Sequence, residues 1–148
     1  MAEQNCIVFP TDFSDMSMAA LPWARKMTEM LGGELHCVAV VQQPIVLAPL
    51  MAGTGAGLPT IEELSADAQY SLDKFVTDRL GELPKPTVAK VVIGRPADEI
   101  VAYASKVDAK MIVMSTHGYS GLQHMLIGST AEGVVRHASC PVLTVRSS

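Results

Sequence analysis

At 148 residues, with hydrophobic side chains at 49% and charged ones at 18%, the chain is long enough to bury one continuous core and too apolar to be disordered. Its net charge of −4, without any run of Lys and Arg, argues against a nucleic-acid surface, and no stretch reaches the ~18–20 apolar residues that span a bilayer. Aromatics at 5% leave the core to Val, Ile, Leu, Met and Ala, which favours a parallel sheet covered by helices over a barrel or sandwich.

Short β-type runs alternate with longer helical stretches along the chain. The first run, Cys6-Ile7-Val8-Phe9, is stopped by Pro10. A helical stretch follows, with Ala19, Ala20, Trp23, Ala24, Met27, Met30 and Leu31 on one stripe. Pro22 predicts a kink or a late start, and Gly32-Gly33 a left-handed C-terminal cap. Leu35 to Val41 is apolar on nearly every residue and reads as a strand buried on both faces. Residues 42–59 lose all periodicity and read as one long, mobile surface loop.

Thr60 and Glu63 have capping-box spacing and open a helix to about Leu80, with Ile61, Leu64, Ala68, Leu72, Phe75, Val76 and Leu80 as its stripe. Pro84 and Pro86 lead into a strand from Val88 to Ile93, and Gly94-Arg95-Pro96 opens a helix with proline in its first turn. The expected buried side of that helix is Ala97, Ile100, Val101, Ala104 and Val107. Met111 to Met114 is the fourth strand, Ser129 to Ala138 the last helix, and Pro141 to Val145 the fifth strand. The alternation implies one domain over 1–148, a parallel sheet with right-handed crossovers and helices on both faces.

Cys6, Cys37 and Cys140 are odd in number and show no CxxC spacing, so they read as reduced, buried thiols. With no basic segment in Met1-Ala2-Glu3-Gln4-Asn5 to suggest a signal peptide, the expected compartment is the cytoplasm.

Ligands of open α/β sheets bind beyond the carboxyl ends of the strands, where strand order reverses. Polar and glycine residues gather at two such ends. Strand one runs into Pro10-Thr11-Asp12-Phe13-Ser14, strand four into Ser115-Thr116-His117-Gly118, and Gly128-Ser129-Thr130 opens the next helix. A helix N-terminus with a glycine and two hydroxyls suits phosphate. Asp12 repels phosphate and is better placed against a sugar, a base or a metal. A purely structural reading stands beside this one: Gly128-Ser129 and Asp12-Ser14 could cap helices, and Gly118 could serve a turn.

Pro10-Thr11-Asp12-Phe13-Ser14, Gly94-Arg95-Pro96-Ala97, and the stretch from Met114 through Gly118, Gly128-Ser129 and Cys140-Pro141-Val142 to Val145 resemble universal stress proteins. The ATP-binding branch of that family carries Gly-x2-Gly-x9-Gly-Ser/Thr; here the pattern reads Ser115-x2-Gly118-x9-Gly128-Ser129, with serine in place of the first glycine. The resemblance implies a Rossmann-like adenine-nucleotide-binding fold of strand order 3-2-1-4-5. It implies adenine and ribose contacts from Asp12 and Val40, and phosphate contacts from Gly118, Gly128, Ser129 and Thr130. Pro10, Thr11, Met114, Ser115, His117 and Ala131 complete the expected site. ATP with Mg²⁺ or Mn²⁺ is the implied ligand, and a homodimer through the C-terminal strand the implied assembly, with further protein partners unidentified.

Other signals carry less. Gly53-Thr54-Gly55-Ala56-Gly57 imitates a phosphate loop but has no strand directly before it and Leu58-Pro59 after it. A receiver domain would need an Asp where strand three ends in Gly94. His36 and His137 read as structural, His117 and His124 flank the phosphate loop, and none has metal-ligand spacing. The expected role is a nucleotide-dependent regulatory module without catalytic residues. A slow ATP hydrolase or phosphotransfer protein, or a partner-binding protein without nucleotide, are the competing classes.

Overall fold

The computed structural model describes residues 4–43, 57–117 and 127–146. Within them the apolar runs form strands β1 (Cys6–Pro10), β2 (Glu34–Val41), β3 (Val88–Ile93), β4 (Met111–Ser115) and β5 (Val142–Val145). The helices are α1 (Asp15–Met18), α2 (Leu21–Leu31), α3 (Ile61–Arg79), α4 (Pro96–Lys106) and α5 (Ser129–His137). The strands make one parallel sheet in the order β3-β2-β1-β4-β5, the order the resemblance implies. The loop expected over 42–59 falls largely on 44–56, outside the described residues.

Side chains alternate across a strand, and here both faces are covered. Ile7 and Phe9 join Leu35, Cys37, Val113, Ala20, Ala24, Leu72, Phe75 and Leu80 in a core beneath α2 and α3. Cys6 and Val8 join Val38, Ile112, Met114, Ile100, Tyr103, Ala104, Ala131 and Val134 in a second core beneath α4 and α5. Among the described residues no helix is long and apolar enough to cross a membrane.

Local sequence explains most helix ends. The Thr60 hydroxyl accepts from the Glu63 N–H while the Glu63 carboxylate accepts from the Thr60 N–H, completing the capping box of α3. Pro96 takes the first position of α4, and Gly32 ends α2 at φ 60. Two expectations change. The stretch after β1 is two helices, because Ser14 caps one short turn and the chain bends at Ala19–Ala20 before Leu21-Pro22 restarts it. The buried face of α2 is Ala20, Ala24 and Thr28, whereas Trp23, Met30 and Leu31 of the expected stripe are 44%, 68% and 40% exposed. Small residues let the helix sit close to the sheet, and Thr28 stays buried by donating its hydroxyl to the Ala24 carbonyl at 2.7 Å. Trp23 instead lies under the Lys26 ammonium, 5.4 Å from the ring centre.

Tyr103 joins the buried side of α4 because its hydroxyl meets His36 Nδ1 at 2.7 Å across the core. His36 Nε2 lies 3.6 Å from the Glu34 carboxylate, so this histidine is structural, as is His137, whose Nδ1 bonds the Gly133 carbonyl. At the β3 edge Lys90 is exposed, and Gln69 donates to the Ala89 carbonyl at 3.3 Å, which blunts that edge.

Cys6 and Cys37 are buried thiols, whereas Cys140 is only partly buried, and all three are free. Burial pushes Cys6 and Cys37 up to about 12 from the usual 9.0, Cys6 also feeling the Glu34 carboxylate and Cys140. Folding therefore favours the neutral thiols. Their contribution to stability is intact below pH 9.0 and lost as pH climbs towards about 12. Denaturant midpoints should fall when the buffer is taken from neutrality to about pH 10.5, and fall less in Cys37→Ala; an equal fall in that variant would contradict the assignment.

Candidate functional site

Between β1 and β4 the strand order reverses: the chain runs from β1 outward through β2 to β3, then returns to β4 and continues outward to β5. The crevice this leaves beyond the carboxyl ends is where such sheets hold ligands.

The β1 exit is a tightly bonded turn. The Thr11 N–H extends the ladder to the Val38 carbonyl at 2.9 Å. The Thr11 hydroxyl accepts from the Phe13 N–H and pairs with the Ser17 hydroxyl, both at 3.0 Å. Asp12 Oδ1 accepts from the N–H and the hydroxyl of Ser14, and Ser14 Oγ in turn accepts from the Ser17 N–H at 3.1 Å as the cap of α1. Phe13 has φ 65, a conformation that costs a non-glycine residue energy. Its ring is held edge-on against Phe75 at 6.3 Å, so packing and hydrogen bonds together impose the turn. The result is that Thr11, Ser14 and Ser17 are buried while Asp12 stands exposed at the mouth of the crevice. The capping reading of this segment is thus correct for Ser14, and it leaves the Asp12 carboxylate at the crevice.

The β4 exit is equally constrained. Ser115 and Thr116 are buried. Ser115 Oγ donates to the His117 carbonyl at 2.7 Å, so the serine that replaces the family's glycine turns its hydroxyl into the bend. Thr116 Oγ1 lies 3.0 Å from His117 Nδ1, which ties that ring to the turn. Gly128 donates its N–H to the Thr116 carbonyl at 2.6 Å. A Cβ on Gly128 would stand 2.9 Å from that same oxygen and 3.7 Å from His117 Cα. The missing side chain therefore lets the start of α5 close against the end of β4. The Glu132 N–H is bonded to the Gly128 carbonyl, and the amides of Ser129, Thr130 and Ala131 that precede it have no intrahelical acceptor. They give the crevice a positive end without a charged side chain.

Most expected site residues thus come together. Asp12 and Ser115–His117 lie on the adjacent strand ends of β1 and β4, with Gly128, Ser129 and Thr130 closing over β4. By alternation Pro10, Val40 and Met114 share the α4/α5 face of three neighbouring strands. Met114 and Ala131, 6% and 2% exposed, belong with their side chains to the core. Gly118 and His124 lie outside the described residues. Among the described residues no three His, Cys, Asp or Glu side chains converge as metal ligands. One residue that sequence reasoning passed over is Arg95, exposed at the N-cap of α4 on the same edge of the sheet; the signal was a cation at a cap position that normally takes Ser, Thr, Asp or Asn.

The geometry at Gly128 predicts a stability cost that is independent of any ligand. Gly128→Ala should destabilise the protein by about 1–3 kcal/mol through forced separation of β4 and α5, read as a lowered urea midpoint. An unchanged midpoint would show that the close approach is dispensable.

Comparison with known proteins agrees with this architecture. Residues 5–146 match the universal stress protein family. Universal stress protein MJ0531 of Methanocaldococcus jannaschii is 37% identical over 141 residues, covering 95% of this chain and 81% of that protein. The solved structure of protein MJ0577, from the same organism, superposes with a TM-score of 0.80 at 23% identity over 99% of both chains. A universal stress protein of Archaeoglobus fulgidus, solved in complex with dAMP, superposes with a TM-score of 0.60 at 20% identity over 98% of this chain and 99% of that one. The solved structures speak for the fold, and the family match over nearly the whole length speaks for descent: this chain belongs to the universal stress protein family.

Proposed function

We propose that this chain binds ATP in the crevice between β1 and β4 and serves in the cytoplasm as a nucleotide-dependent regulatory module. The observation that carries the reading is the pairing, across one topological switch point, of the open amide end of α5 with the exposed carboxylate of Asp12. The amides and the hydroxyls of Ser129 and Thr130 suit phosphate oxygens, and Asp12 suits the hydroxyls of a ribose or the amino group of a base. Val40, partly exposed on the α4/α5 face, offers an apolar floor between the two, with Pro10 buried beneath it. The dAMP complex of the Archaeoglobus relative supports an adenine nucleotide as the ligand. Mg²⁺ or Mn²⁺ would ride chiefly on the triphosphate, since such ions take phosphate oxygens with one or two carboxylates, and Asp12 is the carboxylate at the mouth of the crevice. Three free thiols are consistent with a reducing compartment.

The same site is poorly equipped for turnover. Neither β1 exit, nor Ser115–His117, nor Gly128–Thr130 carries a Lys or Arg, and phosphoryl transfer needs positive charge gathered on the transferring group. Amides that hold ground state and transition state equally give no acceleration.

Calorimetry of the purified protein with ATP and Mg²⁺ tests the reading. Saturable binding is expected, weakened about tenfold in Ser129→Ala and in Asp12→Asn, with hydrolysis far below the ~10 s⁻¹ of a typical enzyme. No binding by the unmodified protein would overturn it, and turnover near that rate would convert the reading to an enzymatic one.

Assembly through β5 belongs to the same proposal. The Pro141 and Val145 carbonyls accept from Ile112 and Thr116 of the β4 segment, both at 3.0 Å. The N–H and C=O of Val142 and Thr144 therefore face the free edge of the sheet, on a strand whose side chains are half-buried. A second copy pairing there would give a two-fold dimer. Light scattering should report a dimer that Thr144→Pro, which deletes an outward N–H without touching the β4 ladder, converts to monomer; a wild-type monomer would remove this part of the proposal.

A further inference from the structure

Arg95 occupies a position that local structure does not explain. It is the N-cap of α4, with extended backbone at φ −81 and ψ 129, and it makes no side-chain capping bond. Its side chain is exposed and pairs with no acidic group among the described residues. A cation at the N-terminal end of a helix faces the positive end of the dipole, the unfavourable arrangement. Departures of this kind from local rules concentrate at functional positions.

The turn that carries Arg95 is anchored beside the crevice. The Gly94 N–H donates to the Val41 carbonyl at 3.0 Å, which fastens the turn to the end of β2 next to Val40. Gly94 has φ +148, a conformation that residues with a side chain rarely adopt, so the bend that presents Arg95 depends on glycine. Further along, α4 lies directly against α5, where a Cβ on Gly133 would stand 2.7 Å from Ala97 Cβ. Both helices start at the carboxyl edge of the sheet on the same face. At ~1.5 Å per helical residue, Arg95 stands about 3 Å above the Ala97 contact and Ser129 about 6 Å above it. The N-cap of α4 and the open amide turn of α5 therefore differ in height by about 3 Å, less than one helical turn, a step within reach of an extended guanidinium.

We propose that Arg95 is the residue that reads the charge of the bound nucleotide, pairing with its phosphate oxygens so that the site prefers a triphosphate to a monophosphate or a nucleoside. The proposal rests on the nucleotide reading above. An anion held by the α5 amides reverses the sign of the local electrostatics: the guanidinium that was opposed by two helix N-termini gains a partner with matched, bidentate geometry. It is a single side-chain cation from α4, which holds the phosphates in the ground state without placing a nucleophile in line with them, so the expectation of slow turnover stands.

Titration calorimetry of the full chain with ATP, AMP and adenosine, in wild type, Arg95→Gln and Arg95→Lys, tests this. ATP affinity should fall about tenfold in Arg95→Gln, AMP affinity should fall less, and adenosine affinity should not change. Raising the salt should weaken ATP binding more in wild type than in Arg95→Gln, and Arg95→Lys should recover part of the loss. Because the side chain is exposed and unpaired, neither variant should melt below wild type, and Arg95→Gln should melt at or slightly above it by removing the unfavourable charge–dipole contact. Unchanged ATP affinity in Arg95→Gln overturns the proposal while leaving the nucleotide reading standing. An equal loss for adenosine also overturns it, because the guanidinium would then lie on the base. Absence of ATP binding in wild type overturns both.

Discussion

The rest of this molecule depends on β1 being buried on every side. Its five residues are all buried, with β2 and β4 hydrogen-bonded in parallel on its two edges and a helical core on each face. A strand so enclosed cannot fray or shift register without turning Ile7 and Phe9 into the wrong core. Because β1 is central, its two neighbours must connect onward in opposite directions, and the crevice at its carboxyl end follows from topology before any ligand-specific side chain is considered. The strained Phe13 and the bonded hydroxyls of Thr11, Ser14 and Ser17 are how the chain leaves this strand while keeping Asp12 in the open.

Glycines along the carboxyl edge serve close approach of backbone elements. A side chain at Gly128 would meet the Thr116 carbonyl, and one at Gly133 would meet Ala97. The glycine pattern associated with phosphate is thus also a packing pattern. Gly128 brings the start of α5 down onto the end of β4, and Gly133, outside that pattern, lets α5 pack against α4. Ser115 fits the same scheme. It is tolerated at a glycine position because its hydroxyl turns back to the His117 carbonyl.

At the opposite edge the core carries a different kind of polarity. His36 is bonded to Tyr103 and has Glu34 3.6 Å from its other ring nitrogen, beside Cys6, and burial raises the Tyr103 hydroxyl and the Cys6 thiol above their ordinary ranges. Buried polar groups of this kind are tolerated when they find partners and fix one arrangement of the elements that supply them. Here they tie α4 to β2, and at the carboxyl edge the Gly94–Val41 bond ties the turn before α4 to the same strand. The helix is thereby pinned at both ends, which fixes the height at which Arg95 is presented.

What the sequence determined by itself was whatever depends on near neighbours along the chain. The apolar runs of five strands, the Thr60–Glu63 capping box, Pro96 at a helix start and Gly32 at a helix end are all short-range effects, and each was legible to within a residue or two. Residue types with site chemistry could also be placed at the strand exits, and the family pattern singled out the strand order. The tertiary structure alone decided which faces are buried and which groups meet. The α2 stripe was right at Ala20, Ala24 and Met27 and wrong at Trp23, Met30 and Leu31, because periodicity locates an apolar face but not how closely it must approach a sheet, and close approach took Thr28 in place of those larger side chains. Tyr103 pairs with a histidine 67 residues away, and Gly128 answers to a carbonyl across the β4–α5 junction. Ala97 meets Gly133 only when α4 and α5 are packed side by side. Contacts of this range are set by the folded arrangement of the sheet, which no local pattern in the chain encodes.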